Sequence, residues 1–125
     1  MQSQPKKILA VVDDLMFTVK INDAAKRNGL EAVFLKSEKD VLEQAKDAPV
    51  AIILDLNANS VEPLSLIEKL KSATESKKVS LIAYLSHIQG ELKQQAQDAG
   101  ADVVMTRSAF STNLLQLLKR HSGRA

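Results

Sequence analysis

The chain has 125 residues, of which 45% are hydrophobic and 26% charged, with a formal net charge of +2. This length suits a single domain, and the composition excludes disordered, collagen-like and coiled-coil classes. The small charge gives no sign of nucleic-acid binding, no apolar run could cross a membrane, and the lack of cysteine excludes disulfides and thiolate metal sites. We expect one cytoplasmic domain over residues 1–125, with its core between residues 6 and 121 and short tails.

Ten predicted elements alternate between strand and helix along the chain. Short apolar runs predict the strands, and apolar residues three or four positions apart predict the helices. Asn28 and Gly29 end the first helix, Ser37 caps the second, and Pro63 suits the first turn of the third. In chain order the strands cover residues 8–12, 31–35, 50–55, 79–84 and 102–105, and the helices cover 15–28, 38–45, 63–70, 90–98 and 108–121.

The third strand is the most informative, because five consecutive apolar residues lead directly to Asp55. Such a run is typical of a central strand that is buried on both faces of a parallel sheet. Five alternating strands and helices predict an α/β fold, a doubly wound five-stranded parallel sheet in the order 2-1-3-4-5 with helices on both faces. In such sheets ligands bind beyond the carboxyl ends of the strands, where the strand order reverses.

Acidic residues follow the two strands on either side of that point. Asp13 and Asp14 end the first strand and Asp55 ends the third, so these carboxylates should face one crevice. Clustered carboxylates repel one another, and protonation, a basic partner or a bound cation relieves the repulsion. Hard oxygen ligands suit Mg²⁺, and the same cation would neutralise a phosphoryl group that Asp55 accepts as nucleophile.

The order of these residues, laid over the fivefold alternation, resembles the receiver domain of two-component response regulators along essentially the whole chain. The resemblance implies a flavodoxin-like (CheY-like) fold, Mg²⁺-dependent phosphate transfer from a histidine kinase or other phosphodonor, and a conformational change that a partner protein reads. By position it implies Asp55 as phosphoacceptor, Asp13 and Asp14 with Asp55 and the backbone carbonyl of Asn57 as metal ligands, and Ser86 and Arg107 as phosphoryl-sensing residues.

Two positions depart from the family pattern. Arg107 occupies the position of the family's lysine and no proline follows it, while the aromatic switch position of strand five is Val104. Arginine keeps the positive charge but is forked and bulkier, so the exchange is not conservative. These departures resemble a divergent or pseudo-receiver subgroup. Asp14 could also simply cap the first helix, and Arg107 could pair with a nearby carboxylate.

Three functions remain open. The first is a stand-alone receiver in a two-component phosphorelay, with no enzyme activity beyond self-phosphorylation and autodephosphorylation. The second is a pseudo-receiver that binds partners independently of phosphorylation, and the third is a small-molecule or enzymatic domain that uses the same crevice. The family resemblance places the output surface on residues 90–98 and 102–121. Because the fourth helix is polar, we expect a monomer or weak dimer. The small net charge and the short apolar runs lead us to expect no binding to nucleic acid or membranes.

Overall fold

A computed structural model describes residues 6–86 and 90–121, which form one five-stranded parallel sheet in the order β2-β1-β3-β4-β5. The fold class and strand order predicted from the sequence are therefore confirmed. The predicted tails lie outside the described residues. The elements in chain order are β1 (Lys6–Val11), α1 (Leu15–Arg27), β2 (Leu30–Phe34), α2 (Glu38–Ala45), β3 (Ala51–Asp55), α3 (Pro63–Ser72), β4 (Ser80–Leu85), α4 (Gly90–Ala99), β5 (Val103–Thr106) and α5 (Arg107–His121).

Two apolar layers cover the two faces of the sheet. On one face, α1 and α5 pack through residues such as Phe17, Ile21 and Phe110. On the other face, α2, α3 and α4 pack through residues such as Val41 and Leu66. Every residue of β3 is buried because this strand lies between β1 and β4 and beneath both layers. Asp55 therefore ends the most enclosed strand of the molecule.

Strand boundaries differ from the predictions by one or two residues. β1 begins at Lys6, two residues before its apolar run, because Lys6 already pairs with Leu30 of β2. β5 extends to Thr106, and its last residue pairs with Leu85. Backbone pairing, which hydrophobic patterning does not report, decides these ends. As a result α5 begins at Arg107, directly after the sheet.

One leucine of α5 lies outside the core. Leu114, Leu117 and Leu118 are buried against the sheet, whereas Leu115 is 42% exposed. Among the described helices, none combines the length and the apolar character that crossing a bilayer requires.

Candidate functional site

Asp55 lies at the carboxyl end of β3, where the strand order reverses between β1 and β3. It is only 8% exposed, and its Oδ1 accepts a hydrogen bond from the backbone N–H of Asn57 at 2.8 Å. Burial raises the pKa of Asp55, the Asn57 hydrogen bond opposes this rise, and the charge of Asp13 adds to it. The structure thus places Asp55 and Asp13 close enough for their charges to interact, as the sequence predicted.

Asp13 is held by the loop that follows β3. Its Oδ2 accepts from the backbone N–H of Asn59 at 2.8 Å, and its Oδ1 accepts from the Ser60 hydroxyl at 3.0 Å. The Asn59 hydrogen bond, partly offset by burial and aided by Ser60 and Lys36, lowers the pKa of Asp13. The loop that follows β3 therefore holds Asp13 in place and favours its ionised form.

Asp14 has two structural roles. Its Oδ1 caps α1 by accepting from the backbone N–H groups of Met16 at 2.7 Å and Phe17 at 3.4 Å. Its Oδ2 forms an ion pair with the guanidinium of Arg107. Both structural alternatives considered for these two residues, the helix cap and the ion pair with a carboxylate, are therefore present.

Asn57 and Ser86 join the ends of β3 and β4. The Asn57 side-chain Oδ1 accepts from both the backbone N–H and the hydroxyl of Ser86, each at 2.8 Å. Ser86 thus lies next to Asn57 at this end of the sheet, and its phosphoryl-sensing role stays a prediction. The role of the Asn57 carbonyl in binding a metal stays a prediction.

Sequence reasoning missed Lys36, which follows β2. Its ammonium donates to the carbonyl of Val12 at 3.0 Å and lies 3.5 Å from Oδ1 of Asp13. The signal was available, because a strand order of 2-1-3 places the end of the second strand beside the end of the first. The crevice therefore contains two cationic side chains, Lys36 at Asp13 and Arg107 at Asp14.

An aromatic stack below the crevice was also missed. The Arg107 guanidinium lies 4.5 Å from the ring centroid of Phe17. The ring of Tyr84 is 5.2 Å from that of Phe17 and 4.6 Å from that of Phe110. The stack connects the start of α1, the end of β4 and the start of α5. The sequence pattern predicts Tyr84 only as the last residue of the fourth strand.

The acidic residues fit a hydrated Mg²⁺ better than a closed metal cage. Mg²⁺ typically uses one or two protein carboxylates and keeps several waters, and Asp13 and Asp55 supply two carboxylates whose charges repel. Asp14 is already engaged by α1 and Arg107. Within residues 6–86 and 90–121, no three acidic, histidine or cysteine side chains form a group that could hold a metal by themselves.

Asp55→Asn is expected to stabilise the metal-free protein at neutral pH, raising the thermal midpoint by a few degrees. The pKa of Asp55 is raised from its ordinary value of 3.8, so the folded state binds this proton more tightly than the unfolded chain, and ionised Asp55 destabilises the fold. The advantage of the variant should disappear as the pH falls below the raised pKa towards 3.8. Thermal unfolding at neutral and acidic pH, in the presence of a chelator, measures this.

Asp13→Asn is the matched control, because the pKa of Asp13 is lowered in the folded state. Its ionised form stabilises the fold at neutral pH, and that contribution is lost as the pH falls through the lowered pKa. This variant should therefore be less stable than wild type at neutral pH. If Asp55→Asn and Asp13→Asn changed the stability at neutral pH equally, the two carboxylates would not lie in opposite electrostatic environments.

Solved structures similar to this chain include response regulators and a receiver domain. The chain aligns with a protein assigned as a response regulator from Chloroflexus aurantiacus J-10-fl, at 20% identity and a TM-score of 0.82 over 97% of this chain and 100% of that chain. It aligns with the chemotaxis response regulator CheY4 of Vibrio cholerae at 20% identity and a TM-score of 0.79, over 94% and 99% of the two chains.

A third similar structure contains a metal. It is the receiver domain of a sensor histidine kinase from Pseudomonas aeruginosa PAO1, with a magnesium ion coordinated in its active-site cleft. The two chains are 18% identical and align with a TM-score of 0.79 over 97% of this chain and 100% of that chain. No family model matches the sequence, and no curated protein matches it either. These likenesses show that the chain has the flavodoxin-like (CheY-like) fold of response regulator receiver domains.

Proposed function

We propose that this chain, with its receiver-domain fold, accepts a phosphoryl group on Asp55 in a two-component phosphorelay and signals to a partner protein. The observation that carries the proposal is the position of Asp55, a buried carboxylate at the carboxyl end of β3 at the switch point of the sheet. Its Oδ1 is held by the Asn57 N–H, which leaves Oδ2 as the attacking atom. The structural similarity to response regulators supports the assignment of Asp55 as the acceptor.

The proposed chemistry is phosphoryl transfer to a carboxylate. A bond forms between Asp55 Oδ2 and phosphorus while the bond from phosphorus to the donor's leaving atom breaks, and the leaving group departs with that electron pair. Asp13 and Asp55 would hold Mg²⁺, which neutralises charge on the phosphoryl oxygens when it is bound. Arg107 would exchange its pairing with Asp14 for the phosphoryl oxygens, and the Ser86 hydroxyl would donate to another of them.

The proposed partners follow from this chemistry. The phosphodonor is a histidine kinase or a small phosphodonor, and the output is a downstream protein that distinguishes the two states of Asp55. A groove of about 410 Å³ lies between α1 and α5 and is lined by Ser86 and Arg107, the two proposed phosphoryl-sensing residues. The chain would carry out no catalysis beyond its own phosphorylation and dephosphorylation.

Incubation with acetyl phosphate or phosphoramidate tests this proposal. We expect intact-protein mass spectrometry to show the addition of one phosphoryl group in Mg²⁺ and its absence in a chelator. Asp55→Asn should remain unmodified and Asp40→Asn, an exposed carboxylate of α2, should label like wild type. Labelling that persists in Asp55→Asn, or no labelling of the wild type, would contradict the assignment of Asp55.

One observation favours a second function, a pseudo-receiver that binds its partner without phosphorylation. Arg107 already pairs with Asp14 and Lys36 already lies beside Asp13, so protein cations partly replace the metal in balancing the acidic residues. This function predicts a partner interaction of the same strength in wild type and Asp55→Asn. A partner that binds only the labelled wild type would exclude it.

A further inference from the structure

The Tyr84 hydroxyl is an unusual feature of the core. Tyr84 is 0% exposed, and its Oη is the one buried side-chain nitrogen or oxygen atom without a hydrogen-bond partner among the described residues. Buried hydroxyls nearly always have a partner, because burial removes their bonds to water. A group that stays unpaired in the resting state calls for an explanation.

Tyr84 lies next to the proposed phosphoacceptor. In the pairing of β3 with β4, Tyr84 is directly opposite Asp55, so the two side chains project from the same face of the sheet. Burial raises the pKa of Tyr84, and the charges of Asp55 and Asp13 raise it further. The hydroxyl is therefore within electrostatic reach of both carboxylates of the crevice while it donates to neither.

We propose that the Tyr84 hydroxyl is a phosphoryl-sensing donor, whose missing hydrogen-bond partner is an oxygen of the phosphoryl group on Asp55. The proposal rests on the proposed function, since it requires that Asp55 accept the group. A phosphoryl group would add three strong acceptor oxygens to Asp55, the residue paired with Tyr84 across the two strands. The Tyr84 hydroxyl has no hydrogen-bond partner in the resting state. It would donate to a phosphoryl oxygen once Asp55 is phosphorylated.

The stack around Tyr84 would carry this change to two helices. The ring packs against both Phe17 of α1 and Phe110 of α5, which also contact each other, and the guanidinium of Arg107 lies over Phe17. A small displacement of Tyr84 towards Asp55 must shift these close-packed neighbours. The surface that reports the state of Asp55 is therefore the one formed by α1 and α5.

The chain offers a direct probe, because Tyr84 is its single tyrosine and there is no tryptophan. Ultraviolet difference spectra and intrinsic fluorescence report on this residue alone. We expect Mg²⁺ with beryllofluoride, a phosphoryl mimic, to shift the tyrosine absorbance of the wild type. Tyr84→Phe should bind the mimic about tenfold more weakly, the usual size of a lost hydrogen bond to a charged group.

Stability separates this role from a structural one. Because Tyr84→Phe removes a hydroxyl that has no partner, the resting variant should unfold at the same denaturant concentration as wild type or a higher one. Loss of stability without loss of mimic affinity would indicate a structural role and overturn the proposal.

The amide signal of Asn57, which donates to Asp55, shows independently whether the mimic binds. If that signal shifts equally in wild type and Tyr84→Phe and the tyrosine spectrum stays constant, the sensing role of Tyr84 is wrong and the function of Asp55 stands. If the mimic does not bind the wild type, both proposals fail.

Discussion

Arg107→Ala is expected to strengthen Mg²⁺ binding about tenfold and to weaken binding of beryllofluoride by about tenfold or more. In the resting structure the guanidinium of Arg107 is paired with Asp14 and adds positive charge to the crevice. Removing the guanidinium frees the Asp14 carboxylate from its ion pair. It also removes a positive charge that repels Mg²⁺ from the crevice. The same removal takes away the proposed ligand of the phosphoryl oxygens, so the two affinities should change in opposite directions.

Isothermal titration calorimetry with Mg²⁺, and then with beryllofluoride at saturating Mg²⁺, measures both effects. Lys36→Gln is the matched control, because Lys36 lies at Asp13 and has no proposed contact with the phosphoryl group. It should share the gain in Mg²⁺ affinity and retain the affinity for the mimic. If Arg107→Ala weakened Mg²⁺ binding, the ion pair with Asp14 would not compete with the metal.

Phe110→Ala is expected to lower the free energy of unfolding by about 3–5 kcal/mol, the usual cost of truncating a buried aromatic side chain. Phe110 is fully buried and stacks on Tyr84, with its ring 4.6 Å from that of Tyr84. It holds the first turn of α5 against the sheet, and Arg107 begins that turn. A loss of this size is a large share of the 5–15 kcal/mol that stabilises a typical domain.

Urea unfolding monitored by circular dichroism gives this value. Leu115→Ala provides the matched control on the same helix, because Leu115 is 42% exposed and should cost no more than about 0.5 kcal/mol. Equal losses for the two variants would mean that the aromatic stack does not anchor α5.

The sequence predicted the locations of the strands well, because short stretches of apolar residues mark them. Each strand contains a short apolar stretch, and β3 is apolar on both faces because it is central, so its continuous apolar run alone located it. The ends of β1 and β5 were less predictable, because hydrogen bonds to a neighbouring strand decide them. That shift made Arg107 the first residue of α5.

The candidate site was predictable only in part. The closeness of Asp13 and Asp55 followed from strand order, which also places Lys36, after β2, beside the end of β1. The packing of Tyr84 against Phe17 and Phe110 depends instead on side-chain contacts between distant elements. Periodicity treats Tyr84 as one more apolar residue of β4, so its unpaired hydroxyl has no signature in the sequence. The ion pair of Asp14 with Arg107 appeared only as an alternative, because both residues also matched functional positions.

The most direct test of the central claim, that Asp55 is a phosphoryl acceptor, is an amide NMR titration of wild type and Asp55→Asn with Mg²⁺ and then beryllofluoride. We predict metal-dependent shifts near Asp13 and Asn57 that spread to Ser86 and Arg107 when the mimic is added, and no response to the mimic in Asp55→Asn. A wild-type spectrum that changes with neither Mg²⁺ nor beryllofluoride would contradict the claim. The unmodified fold would then be the form that partners bind.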